Sequence, residues 1–447
     1  MDGHLSRSAE EVKRQNVEVL ECCYVMKCHD HRGEAKRILV LSDAFICYFK
    51  DLLVPVQDRT FYWTDLTSLT YRNNRLDLEF RSHPFRFTSR LSEVIFDKIV
   101  ALLRCSMTSP ELEAIAFSPA IQSTPRLNGW GIISRFRMEA LNAGVKFEQS
   151  DIAIIQKNIS QQSPIIDLTA LSNTDLLPAF LTASACSPWI ECIKLPKVFQ
   201  ADKVVAFLTS PQCHLTHIIV SGGLSSDLHH LLNGIEQSST LYGISFEGFE
   251  LTKEMLADIR ESILKKELYT LGFNNSLPTR LTSSFVQNFL QPGVTDRLMM
   301  LNLNYIKGID IPSLLKQIPN VASLSLEGCG LELGEFFNAL ARSQMSRICL
   351  LNLSKNFCVN QIDRSLQRPT TLQTLYINGC SFRNKALRSL FRFILGSQWP
   401  SGLALHADGI EVVFGEAFDE NDFDSVIDGF DKSPVHEFSW NSNQLSN

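Results

Sequence analysis

The chain contains no apolar run approaching 18 residues, so no membrane-spanning helix is expected. Its opening stretch, Met1 to Lys13, is polar and holds no apolar core, so no signal peptide is expected either. The usual catalytic phrases are also missing. There is no phosphate-binding loop, no G-x-G-x-x-G after a strand, no H-E-x-x-H and no G-x-S-x-G. An enzyme is therefore not expected, and no cofactor is expected. Charge of one sign is lacking as well: 42 Lys+Arg stand against 48 Asp+Glu, for a net −6. Residues 1–110 carry 16 basic and 15 acidic side chains, and the remainder 26 and 33. A C-terminal part this acidic argues against nucleic acid as its target.

Cysteine is present, twelve times, but without a disulfide or metal pattern. Cys192, Cys329, Cys349 and Cys380 fall where a small buried residue suits a repeat, and reduced core thiols are expected there. The one dense cluster is Cys22, Cys23, Cys28, His29 and His31. No second ligand pair follows it, and strand alternation sends Cys23 and Cys28 to opposite faces, so no metal site is expected. With 45% hydrophobic and 20% charged residues, the 447-residue chain is globular and long enough for two or three domains. A cytoplasmic location is expected.

What the sequence has in abundance is one phrase, apolar-x-x-apolar-x-apolar. Clear copies are Leu241-Ile244-Phe246, Val321-Leu324-Leu326, Ile348-Leu351-Leu353 and Leu372-Leu375-Ile377. The third apolar position is read at Leu168, Leu195, Val220, Phe246, Phe273, Leu303, Leu326, Leu353, Ile377, Leu405 and Trp440, in steps of 23 to 35 residues. This is the leucine-rich-repeat signature. Helical patterns such as Leu228, Leu231, Leu232 and Ile235 fill the gaps. The expected fold is an α/β leucine-rich-repeat solenoid, ribonuclease-inhibitor-like, over 165–447, with an acidic C-terminal end from Glu416 to Asp431.

Residues 1–110 lack the phrase. Strand-like runs are read at Val17–Cys28, Lys36–Leu41, Ala44–Phe49, Phe61–Tyr71, Leu76–Phe80 and Phe85–Thr88, separated by turn clusters. One amphipathic helix follows, with Leu91, Ile95, Ile99, Leu102 and Leu103 on its apolar face and Ser89 or Ser92 as cap. That order predicts a small β-barrel plus helix of pleckstrin-homology type. Residues 111–164 read as a helical linker and N-terminal cap. Lys27, Arg32, Lys36 and Arg37 surround the first hairpin loop and are the candidate lipid-binding residues, able to attract acidic phospholipid. Lys36 and Arg37, being adjacent, are expected to diverge across their strand.

The architecture resembles the CARMIL family, actin regulators that link capping protein and myosin I, and the resemblance covers roughly residues 15–415, the family's N-terminal half. Arg37-Ile38-Leu39-Val40-Leu41-Ser42 is similar to the second strand of the family's atypical pleckstrin-homology domain. The closing helix, Leu91 to Met107, lacks a tryptophan, as the family's does. Gly129-Trp130-Gly131, Glu139-Ala140-Leu141-Asn142-Ala143-Gly144 and Phe147-Glu148-Gln149-Ser150-Asp151-Ile152 resemble its linker. Ile166-Asp167-Leu168, Asp175-Leu176-Leu177 and Pro188-Trp189-Ile190-Glu191-Cys192-Ile193 resemble its first repeat. The resemblance implies a non-enzymatic scaffold in cortical actin organisation at the plasma membrane, binding acidic phospholipid and cytoskeletal proteins such as myosin I. The family's capping-protein motif is not found in this sequence, so control of capping protein is not expected to follow.

The protein-binding surface is expected on the concave strand face, at Asn302, Asn304, Asn352, Ser354, Tyr376 and Asn378. Homo-association through the last repeat is a further expectation. Two alternatives stand beside this reading. One is a soluble protein-binding adaptor with no membrane role. The other is a small-GTPase activator of leucine-rich-repeat type, for which Arg297, Arg342 and Arg347 lie near loops.

Overall fold

Alternation of large apolar side chains builds the strands of the N-terminal sheet, and the computed structural model gives that sheet eight strands. The structure describes residues 3–29, 33–52, 54–122, 124–126, 129–223, 225–363, 366, 370–395, 402–412 and 435–443. The chain divides into two compact units, Met1–Leu215 and Thr216–Asn447.

In the first unit helix α1 (Gly3–Lys13) precedes strands β1 (Val19–His29), β2 (Gly33–Ser42), β3 (Phe45–Lys50), β4 (Val56–Tyr62), β5 (Leu66–Arg72), β6 (Arg75–Phe80) and β7 (Pro84–Thr88). Helices α2 (Ser92–Ser106) and α3 (Ser109–Glu113), strand β8 (Ala116–Ser118) and helices α4 (Gly129–Asn142) and α5 (Gln149–Gln161) follow. The unit ends with β9 (Ile165–Asp167), α6 (Leu177–Ser184), β10 (Cys192–Lys194) and α7 (Ala201–Leu208). The second unit holds β11 (His217–Val220), α8 (Ser225–Gln237), β12 (Gly243–Glu247), α9 (Lys253–Lys265), β13 (Thr270–Asn274) and α10 (Thr279–Ser284), which runs into a π-helical turn, Phe285–Phe289. Next come β14 (Met300–Asn302), α11 (Ile311–Gln317), β15 (Ser323–Ser325), α12 (Leu333–Arg342), β16 (Leu350–Asn352), β17 (Phe357–Cys358), β18 (Thr374–Tyr376), β19 (Ser381–Phe382), α13 (Asn384–Leu395), β20 (Leu403–His406), β21 (Glu411–Val412) and β22 (Val435–Ser439).

The N-terminal sheet has the order β4-β3-β2-β1-β7-β6-β5-β8 and is mostly antiparallel. Its core stacks aromatic rings: Tyr48 on Phe85 at 5.1 Å, and Phe61 on Phe80 at 4.9 Å. Trp63 is fully buried and donates its indole N–H to the Ser42 carbonyl at 3.0 Å. Asp43, in the β2–β3 turn, is buried and pairs with Arg137 of α4, which fixes that helix to the sheet. The helix α2 buries Ile95, Phe96, Ile99, Leu102 and Leu103. Its cap differs from expectation. Leu91 occupies the cap position, and Ser92 instead donates its hydroxyl to the Asn74 carbonyl at 2.7 Å.

The expected barrel of pleckstrin-homology type is corrected here, because the sheet does not close. Closure would require β4 to bond β5. The chain instead turns between them through the 3₁₀ segment Trp63–Asp65, and β5 gives its free edge to β8 in parallel, Ser68 opposite Ala116. Six antiparallel strands and one helix were insufficient grounds for closure, since an open sheet satisfies the same count.

The expected leucine-rich-repeat solenoid is corrected as well. The finding is parallel strands with helices in their connections: β9 pairs with β10 in the first unit, and β11 to β16, β18, β20 and β22 form a parallel sheet in the second. A second small parallel sheet joins β17, β19 and β21. The connections do not repeat one unit. Their helices range from the thirteen residues of α8 and α9 to the six of α10, which runs on into a π-helical turn. The apolar phrase misled because any parallel strand with one face buried demands an alternating apolar pair, whatever lies between strands. The register also shifts near the end. Leu405 lies opposite Leu375, so the position equivalent to Ile377 is Ala407 and not Leu405. The acidic stretch from Glu416 to Asp431 lies outside the described residues.

Candidate functional site

The strand order brings basic side chains together at one end of the N-terminal sheet. Val25 lies opposite Arg37, Arg37 opposite Lys50, and Tyr48 opposite Arg59. Residues directly opposite one another in an antiparallel pair share a face. Lys27, two residues beyond Val25, therefore shares its face with Arg37, Lys50, Tyr48 and Arg59. Its ammonium donates to the Tyr48 hydroxyl and lies 4.0 Å from that ring's centroid. Burial lowers the Lys27 pKa, and the charges of Arg37, Arg59 and Lys50 lower it further against the pull of Asp58. Burial likewise pushes the Tyr48 phenol up to about 12, with Asp58 adding to the shift. Asp58 also pairs with Lys50 at 3.8 Å. The Arg37 Nη1 donates to the Lys36 carbonyl at 2.8 Å, while its buried Nε has no hydrogen-bond partner among the described residues.

The candidate lipid residues are thus split by the strand. Lys27 and Arg37 share the face just described. Lys36 points the other way, pairing with Asp51 at 3.0 Å and resting over the Tyr24 ring at 3.8 Å. Arg32 lies outside the described residues. Sequence reasoning missed Lys50, Asp58 and Arg59, because only the strand register places them beside Lys27.

In the second unit the six candidate protein-binding residues fall in one strip. Leu301, Leu324, Leu351 and Leu375 bury one sheet face, so Asn302, Ser325, Asn352 and Tyr376 lie on the other. Much of the strip's polar capacity is spent on neighbouring strands. The Asn304 Oδ1 accepts from the Ser325 hydroxyl at 2.7 Å and the Glu327 amide at 2.8 Å. The Asn302 and Asn352 side chains accept from the amides of Asn304 and Ser354. Asn378 donates its amide to the Ser354 hydroxyl and accepts from the Asp408 amide. Tyr376 stacks on His406, with centroids 4.4 Å apart and planes 11° apart.

Beyond each of these strands the backbone turns through a left-handed residue, at Gly248, Asn275, Tyr305, Gly328, Lys355, Gly379 and Gly409. The amide of each bonds a carbonyl at or just after the end of the next strand, for example Gly328 to Ser354 at 2.8 Å. Glycine and asparagine suit that slot, whereas Tyr305 and Lys355, with φ of 61° and 57°, do not. Those two side chains meet. The Lys355 Nζ lies 2.7 Å from both the Tyr305 hydroxyl and the Glu327 carboxylate, and Tyr305 itself bonds Glu327. Gly328 makes room, since a β-carbon there would fall 2.7 Å from the Tyr305 ring. Tyr305, Glu327 and Lys355 form an anchor the sequence did not reveal, since neither a tyrosine nor a lysine announces positive φ.

On the same sheet face His217 Nε2 meets the Ser245 hydroxyl at 2.9 Å. Gly243 and Gly272 leave the space, since a β-carbon at either would fall within 2.3 Å of this pair. Burial pushes the His217 pKa down to about 4, so the ring is neutral at physiological pH. In the first unit Arg135 is 95% buried and pairs with Glu111 and with Glu139, the latter at 2.8 Å. The three line a polar cavity of 480 Å³ with Asp65, Asn142 and Gln212. Among the described residues no group of three or more His, Cys, Asp or Glu is placed to hold a metal ion, and no helix is long and apolar enough to cross a membrane. Arg297, weighed as a GTPase-activating residue, is paired with Glu267.

No family model matches the chain, and no curated protein matches it.

Proposed function

We propose that this protein is a non-enzymatic scaffold of the cytoplasmic cortex that binds acidic phospholipid through its N-terminal sheet and cytoskeletal proteins through its parallel sheet. The observation that carries the lipid half is the gathering of Lys27, Arg37, Lys50 and Arg59 around one tyrosine and one aspartate. Four cations against one carboxylate leave an excess of positive charge, and Lys27 is already partly desolvated. A phosphate or carboxylate headgroup supplies the missing acceptors, and an arginine offers it a planar fork of donors. The protein-binding half rests on the strip from Asn302 to Asn378 and on the Tyr305–Glu327–Lys355 anchor beside it, which offers an exposed tyrosine of the kind enriched at binding hot spots. The resemblance to the CARMIL family supports myosin I as the kind of partner and cortical actin as the setting.

The experiment is sedimentation of the full chain with vesicles of neutral lipid, of phosphatidylserine and of phosphoinositide. Binding that needs acidic lipid is expected. Each of Lys27→Ala and Arg37→Ala is expected to weaken it about fivefold, from roughly 1 kcal/mol per cation near the surface. A wild-type chain that sediments with no vesicle refutes the lipid half.

A further inference from the structure

The turn between β3 and β4 displays aliphatic side chains to solvent. Leu52 is 52% exposed, Val54 67% and Val56 51%. One exposed aliphatic residue needs no explanation, but three within five positions on one turn form a patch. The strands that enter and leave this turn carry Lys50 and Arg59, two of the cations that surround Lys27. The acids of the same segment are engaged: Asp51 meets Lys36 at 3.0 Å and His4 at 3.1 Å, and Asp58 meets Lys50. Aliphatic side chains at the tip, with cations at the base, match the cross-section of an acidic bilayer surface.

We propose that the β3–β4 turn is a membrane-inserting element. Leu52, Val54 and Val56 enter the boundary between headgroups and acyl chains, while Lys50, Arg59, Lys27 and Arg37 lie at the level of the phosphates. This rests on the lipid reading given above and adds to it the apolar half of the contact. A bilayer is favoured over a protein partner for two reasons. The patch is aliphatic throughout, without the Trp or Tyr of a protein hot spot. Its charged surround is also of the sign that acidic lipid attracts. The two contributions respond differently to salt. Screening weakens the cationic part, whereas the apolar part persists.

The test uses the full chain and a triple variant, Leu52→Ser, Val54→Ser and Val56→Ser. All three positions are exposed, so the variant is expected to melt with the wild type. Vesicles of phosphatidylcholine with phosphatidylserine are sedimented at low and high salt, and penetration into a monolayer of the same lipids is read as a rise in surface pressure. The wild type is expected to keep measurable binding at high salt and to raise the pressure. The variant is expected to bind at least about thirtyfold more weakly at high salt and to leave the pressure unchanged. A variant that matches the wild type in both assays, while Lys27→Ala with Arg37→Ala abolishes binding, overturns the insertion and leaves the lipid reading standing. A wild-type chain that binds no acidic vesicle overturns both. Vesicle binding retained by the wild type at high salt but shared equally by the triple variant also overturns the insertion.

Discussion

Asn356 holds two successive turns of the second unit together, and its removal should unfold them. The residue is 3% exposed. Its Oδ1 accepts the Leu331 amide at 2.9 Å, and its Nδ2 donates to the carbonyls of Leu326 and Leu353, both at 2.9 Å, with Ser354 at 3.2 Å. Asn356→Ala strands one amide and leaves at least two carbonyls with a lost donor. A buried donor left unmade costs about 1–3 kcal/mol, and carbonyls, with two lone pairs, suffer less each. The expected loss is about 3–5 kcal/mol, a large part of the 5–15 kcal/mol typical of a folded domain. Urea denaturation should show a lower midpoint at an unchanged slope, and hydrogen exchange should show the Leu331 amide losing protection first. Asn356→Asp keeps the acceptor, discards both donors and faces a carboxylate toward carbonyls, so it should be no better than alanine at neutral pH. An alanine variant within about 1 kcal/mol of wild type, with Leu331 still protected, would refute this account.

Two further perturbations probe the other buried polar groups. Burial holds His217 near 4 against its usual 6.5, so between those values the unfolded chain takes up a proton that the folded chain refuses. Stability from this residue is full above pH 6.5 and drains as pH falls toward 4, by about 3 kcal/mol in all at 1.36 kcal/mol per unit. His217→Gln keeps a donor for Ser245 without that titration. Urea midpoints at neutral and acid pH should therefore fall less steeply in the variant than in the wild type, and equal slopes would count against the assignment. Arg135→Met removes the cation that pairs with both Glu111 and Glu139, and burial already pushes the Glu139 carboxyl up. A buried pair broken from one side loses about 3–5 kcal/mol, so the first unit should melt earlier, and more so at high pH, where both carboxyls ionise. A melting temperature that does not move would refute it.

The parts of this protein legible in its sequence are those set by local periodicity. Ile244 with Phe246, Leu324 with Leu326 and Leu351 with Leu353 mark strands because a half-buried strand needs an apolar residue at every second position. The same rule separated Lys36 from Arg37. It could not say whether the N-terminal sheet closes, since that depends on the three-residue strand Ala116–Ser118 docking on β5 from far along the chain. Nor could it fix β20, where Leu403 and Leu405 fit the pattern in two registers and only pairing to Leu375 decides. Lys50 and Arg59 stayed hidden for a related reason: they reach Lys27 through strand register, to which the spacing of charged residues gives no clue.

Tyr305 and Lys355 were beyond local reasoning of any kind, and they are the more instructive for it. Five of the seven turns in their ladder use glycine or asparagine, so the slot itself is ordinary. A side chain with a β-carbon pays about 1–2 kcal/mol to sit there. The strain persists because Glu327 bonds both residues and Gly328 leaves the space for the ring. A strained, rigid, half-exposed aromatic and cation are disfavoured by stability alone, and such outliers gather where a surface must be held ready for a ligand. Their position beside Asn302, Asn352 and Tyr376 makes this rim, more than the amides of the strip, the place to mutate first when a protein partner is sought.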